Sequence, residues 1–184
     1  EAYRLGPKLS AFLQTVRGVT GREERGEKRI PYRLGGFSLD GMDCSGLINY
    51  ALGRKADEGA STLAREHAAI GGFIQDMGWE NIPSGAILGK LTYLNGTRYL
   101  GDTFSFSLIN KYGKNYKISQ VGVFDHYDKL NDAVCIHQST SSAKYNGAVN
   151  TSFTSKKMEK LGWNIWFIPG QLLDNDYTVI DDWE

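Results

Sequence analysis

The sequence predicts an α+β domain in which helices come first and an antiparallel sheet follows. Three observations predict it. Apolar residues of the first half recur at helical spacing. From Tyr112 onward the chain turns to short alternating runs, "KISQVGVF", "AVCIHQST" and "WNIWFIP", which read as strands. Helix and strand signals are not interleaved in βαβ fashion, so the sheet is expected to be antiparallel. The 184 residues are enough for one domain with its own core, and no repeat, low-complexity tract or linker divides them, so 1–184 read as a single domain.

Taken in order, Leu9, Phe12, Leu13 and Val16 share one helical face and predict a helix over 7–18, started by Pro7 and ended by Gly18 and Gly21. "GREERGEKR" reads as a solvated charged loop, and Gly35, Gly36 and Gly41 as a turn-rich passage. Leu47, Ile48, Ala51 and Leu52 predict a second helix from about Cys44, with Asp43 as its N-cap and Gly53 as its stop. Leu63, His67, Ile70, Ile74 and Met77 form one stripe and predict a third helix, broken or bent near Gly71 and Gly72. "NIPSGAILGKLTYL" predicts a turn followed by a strand.

Composition narrows the function. Basic and acidic residues balance at 21 each, which gives no electrostatic case for nucleic acid or a membrane surface. No apolar run approaches the roughly 20 residues that a membrane-spanning helix needs. Cys44 and Cys135 cannot make a disulfide framework. With three histidines at no close ligand spacing they make a poor zinc site, and no metal or organic cofactor is expected.

Cys44 is the residue that carries chemistry. A thiol attacks as the thiolate, and unpaired N–H groups at a helix N-terminus lower its pKa. The same N–H groups can form part of an oxyanion hole, and Gly46 leaves space for a substrate backbone. Position alone leaves a buried structural cysteine as an equal reading, because free cysteine is among the most buried residue types.

"PYRLGG" followed by "DCSGLINYAL" resembles the nucleophile segment of the NlpC family of papain-like cell-wall cysteine peptidases and amidases. "IPSGAIL" resembles the family's Pro-Gly-Asp-Leu turn, with Ala86 where an aspartate is usual. "QVGVF" and "IHQSTS" resemble its His-Val-Gly-Ile-Tyr and Ile-His-Ala-Ser strands. The likeness runs from about Tyr32 to Ser142, and about 91–119 reads as an insertion that walls one side of a groove. It implies a papain-like fold, with Cys44 on a helical subdomain packed against the sheet. It implies Cys44 as nucleophile and His137 as the orienting third member of a triad. It implies Tyr32, Asp43 and Ser45 as contacts to the free amine end of a peptide stem, with Tyr32 also near the oxyanion site. The implied substrate is a bacterial peptidoglycan stem peptide, which would place the protein at the cell envelope or outside the cell.

One position departs from the family. The general base is the histidine directly before Val-Gly, and here that residue is Gln120, whose amide cannot take a proton from a thiol. His126 lies six residues further along the strand, roughly 20 Å away, and reads as an exposed hairpin residue. His67 reads as a packed or groove-lining residue, and Cys135 as a strand filler. A hairpin turning at Asp128 and Lys129 would set His137 directly opposite Gln120, and Cys135 opposite Gly122. Two mechanisms stay open: His137 leans across as base with Gln120 holding its ring, or nothing beyond the helix field activates Cys44. The expected function is hydrolysis of a stem-peptide amide through a Cys44 thioacyl intermediate. The alternative is an inactive member that binds such peptides or a protein partner.

Overall fold

The computed structural model describes residues 6–93 and 116–174. Its first helix, α1 (Pro7–Thr20), begins where Pro7 presets the helical φ and ends where the Gly21 N–H bonds to the Arg17 carbonyl. Leu9, Phe12, Leu13 and Val16 are all buried, as their spacing predicts. The helix runs past Gly18 because Val19 and Thr20 also face the core. The charged segment behind it is largely exposed. A two-strand ribbon, β1 (Phe37–Ser38) and β2 (Gly41–Met42), then leads into α2 (Cys44–Ala51).

The third predicted helix is only half a helix. α3 (Ala60–His67) buries Leu63 and Ala64, but Ala68–Phe73 is a strand, β3, and only Ile74–Met77 returns to a helical turn, α4. Two adjacent glycines and an apolar stripe carry no strong helical preference. The segment instead hydrogen-bonds as an edge strand to β8 (Ile165–Pro169), with Gly72 opposite Trp166 and Phe73 opposite Ile165.

The remaining strands are β4 (Ile87–Tyr93), β5 (Tyr116–Asp128), β6 (Ala133–Thr140) and β7 (Gly147–Phe153), followed by α5 (Ser155–Leu161). Six strands form one antiparallel sheet in the order β3-β8-β4-β5-β6-β7, so the class is α+β as expected. α1 and α2 touch each other and both pack on β5 and β6, and a single core joins Leu9, Leu47 and Ile48 of the helices to Val121, Val123 and Ile136 of the sheet. Of the expected insertion, 91–93 and 116–119 lie in β4 and β5, and the stretch between lies outside the described residues.

The hairpin register differs from expectation. Asp128 pairs with Ala133, and Val123, not Gln120, lies opposite His137, with an irregularity between Phe124 and His126. The loop is wider than a two-residue turn because its side chains hold it open. Asp128 accepts from the Asn131 backbone and side chain, while Asp132, at φ +49°, accepts from the Tyr127 hydroxyl and the Ser155 N–H. Gly122 makes room for Trp163 and Gln138, not for Cys135: a Cβ there would lie 3.2 Å from the Trp163 ring and 3.6 Å from the Gln138 Cβ. Cys135 pairs with His126 instead, its Sγ 3.8 Å from the Ser152 hydroxyl.

Candidate functional site

α2 forms where the sequence places it, and Asp43 caps it. One carboxylate oxygen accepts from the Gly46 N–H at 2.7 Å, and the other accepts from the Gly35 N–H at 2.8 Å. Asp43 therefore fastens the glycine turn and the helix start together, which fixes Cys44 as the first helical residue. Gly46 serves packing within the chain. A Cβ there would sit 1.9 Å from the Gly36 carbonyl oxygen, so this close approach is to the protein's own backbone.

Cys44 is largely enclosed, and burial pushes its thiol pKa up. The Val121 N–H from β5 pulls the other way, as do the N–H groups of Ser45 and Cys44 itself, while the Asp43 charge adds to the upward push. Contrary to expectation, the helix N-terminus does not win: desolvation outweighs the donors around the sulfur.

The residues expected around Cys44 do gather there. Tyr32 pairs with Met42 through an isolated bridge, and its hydroxyl pKa is raised by burial, then by the charges of Cys44, Asp43 and Asp57. Ser45 donates to Asp43 at 3.3 Å or to Asp57 at 3.4 Å. Asp57 was not anticipated. It follows α2 in an unremarkable polar turn, and reaches the site because the buried Asn49 amide holds its carboxylate at 3.1 Å. Burial and Asp43 raise the Asp57 pKa.

Lys90 was also missed. Its signal is a lone charge inside the apolar run "ILGKLTY". Its ammonium lies 4.9 Å from the Trp163 ring centroid, and burial lowers its pKa against an opposing pull from Cys44.

None of the three histidines has Cys44 as a ring partner. His137 is buried, with Nε2 2.6 Å from Asp125 and Nδ1 2.7 Å from the Thr20 hydroxyl. Asp125 also accepts two bonds from Arg17, each 2.8 Å, and one contact from His126 at 2.7 Å. Burial would raise the Asp125 pKa, but Arg17, His137 and His126 together hold it far below the usual carboxylate range. His67, the last residue of α3, joins Glu58 and Arg54 of the preceding segment in a polar cluster, away from the apolar stripe it was assigned to. Gln120 donates to the Gln138 side chain at 2.6 Å, so it does not hold the His137 ring. The expected route to a histidine base, His137 with Gln120 holding its ring, loses its geometry here. Among the described residues no cluster of His, Cys, Asp and Glu could hold a metal ion, and no helix is long and apolar enough to cross a membrane. No family model matches the chain, and no curated protein matches it.

Proposed function

We propose that the chain is a cysteine hydrolase of papain-like, NlpC-like type that cuts an amide bond in peptidoglycan stem peptides through a Cys44 thioacyl intermediate. The observation that carries this reading is the cysteine at the first residue of a capped helix, packed on an antiparallel sheet, with Val121, Ser45 and its own N–H groups turned to its sulfur. Attack of the sulfur on an amide carbonyl gives a tetrahedral oxyanion, which such N–H groups stabilise, and water resolves the acyl-enzyme. Asp43, Ser45 and Tyr32 supply acceptors and a hydroxyl for the amine end of a stem peptide, and Asp57 adds a second carboxylate beside them. A substrate of this class would put the protein at the cell envelope or outside the cell.

A second reading, an inactive domain that binds stem peptides or a protein partner, is favoured by one specific observation. Gln120 is bonded to Gln138, and both ring nitrogens of His137 already have partners. Muropeptide digestion followed by mass spectrometry separates the two. The hydrolase reading expects cleavage by the native chain and none by Cys44→Ala. Cleavage by Gln120→His alone assigns the natural chain to binding, and no cleavage by any of the three sinks the hydrolase reading.

A further inference from the structure

We propose that Asp57, braced by the buried Asn49 amide, is the carboxylate that seats a ligand's primary ammonium beside Cys44, and so makes a free amine end a condition of binding. The inference deepens the hydrolase reading and rests on it for the ligand's source, a peptide. The resemblance gives the amine end to Tyr32, Asp43 and Ser45, and Asp57 lies outside that set.

The two carboxylates near the start of α2 are not equally available. Asp43 is committed to the fold: its Oδ1 accepts from the Gly46 N–H at 2.7 Å and its Oδ2 from the Gly35 N–H at 2.8 Å. Asp57 holds no backbone. Its Oδ1 accepts from the Asn49 amide at 3.1 Å and lies 3.4 Å from the Ser45 hydroxyl. Its Oδ2 accepts from no donor among the described residues. The contact with Ser45 ties this half-buried carboxylate to the residue that follows Cys44.

The cluster is also short of protons. The Ser45 hydroxyl lies 3.3 Å from Asp43 and 3.4 Å from Asp57 but has one proton for both. The Asn49 Nδ2 has two protons and faces three oxygens: Asp57, the Ser45 carbonyl at 3.0 Å and the Glu58 carbonyl at 2.8 Å. Asn49 is 0% exposed, and its buried Oδ1 has no partner. Among the described residues no Lys, Arg or His pairs with Asp43 or Asp57, and the neighbouring Arg54 and His67 both bond to Glu58. Burial, and then the Asp43 charge, raise the Asp57 pKa, as befits like charges with no cation between them. A primary ammonium brings three donors and a positive charge, which answers both deficits. No cluster of His, Cys, Asp and Glu among the described residues could hold a metal ion, whereas an ammonium needs only acceptors.

The test measures binding by calorimetry to the Cys44→Ala chain, in which no ligand is cleaved. Two peptides are used, a stem peptide with a free amine end and trialanine, each also in N-acetylated form. Acetylation should weaken binding about tenfold, the scale of one charge-assisted hydrogen bond. Adding Asp57→Asn, which keeps an oxygen for Ser45, should bring that ratio near one, while Asp57→Glu should keep most of it. The ratio does not depend on the folded fraction, so a merely structural Asp57 would leave it unchanged. An Asp57→Asn ratio equal to that of Asp57 overturns the proposal, and so does failure of both amine-ended peptides to bind. Cleavage of the stem peptide by the native chain, indifferent to the amine end and to Asp57, keeps the hydrolase reading and removes the seat. Asp57-dependent trialanine binding by a chain that cleaves no muropeptide keeps the seat and removes the hydrolase reading.

Discussion

Asp125, buried, and Cys44, half-buried, both lie beneath helices that pack on β5 and β6, yet they are served in opposite ways. Asp125 gathers charged and imidazole side chains: Arg17 from α1, His126 beside it, and His137 from the neighbouring strand. Cys44 is met mainly by backbone N–H groups. The difference separates a node that fastens elements together from a thiol that is met mainly by backbone groups. Imidazoles that could have served a nucleophile are built into the node that holds α1 against the β5–β6 hairpin. The thiol is met by backbone dipoles instead. A node of satisfied charges resists change, whereas the enclosed thiol has its pKa raised by burial and few side-chain partners to offset it.

Breaking the Asp125 node should have the largest effect on stability. Asp125→Ala leaves the Arg17 guanidinium and His137 without their acceptor, and removing one partner of such a buried cluster costs about 3 kcal/mol after allowance for the half-exposed Arg17. Urea denaturation measures the loss, and Cys44 alkylation in the folded variant should not change. A loss under about 0.5 kcal/mol, within the range of ordinary surface substitutions, would remove the node from its fastening role.

The same node sets an acid limb. The folded-state pKa of Asp125 is depressed, so its contribution is fully present above the unfolded carboxylate value near ~4 and is lost as pH falls through that range toward the folded value. The melting temperature of the native chain should fall more steeply below about pH 4 than that of Asp125→Asn. Parallel acid limbs in the two proteins would contradict the assignment.

On the other side of the comparison, Gly46→Ala forces a methyl group against the Gly36 carbonyl oxygen and should cost about 2 kcal/mol, the usual range for overpacking against a backbone. Because α2 must shift to relieve the clash, this variant should also change the rate of Cys44 alkylation. That response is what distinguishes it from Asp125→Ala.

Much of the frame was legible in the sequence, for local reasons. Asp43, Cys44 and Leu47 to Leu52 obey capping and periodicity rules that need only nearby residues, and α2 falls where they place it. The limits of β6 coincide with "AVCIHQST" for the same reason. What failed depends on partners distant in the chain. The fate of Ala68–Phe73 was decided by the open edge of β8, almost a hundred residues later. The hairpin register was decided by Tyr127 and Ser155 bonding to Asp132 in the loop. β7, in "GAVNTSF", was not read as a strand because its buried positions are small, and its pairing with β6 defines it. Gln120 stood out as a departure from the resembling pattern, and its Gln138 partner could not be foreseen from a register that was three residues out.

The smallest expected effect sharpens the comparison within the node itself. His126 and His137 both touch Asp125, but the His126 side chain is 59% exposed and His137 only 6%. A solvent-exposed contact of this type contributes little because water replaces it, so His126→Gln should change stability by less than about 0.5 kcal/mol. His137→Gln should cost several times more, since the Asp125 oxygen and the Thr20 hydroxyl would both lose a buried partner. Denaturant midpoints for the two variants, measured side by side, decide it. Equal losses would mean that the hydrogen bond to Asp125, and not its burial, carries the energy, and the fastening role would then extend to the exposed rim of the hairpin.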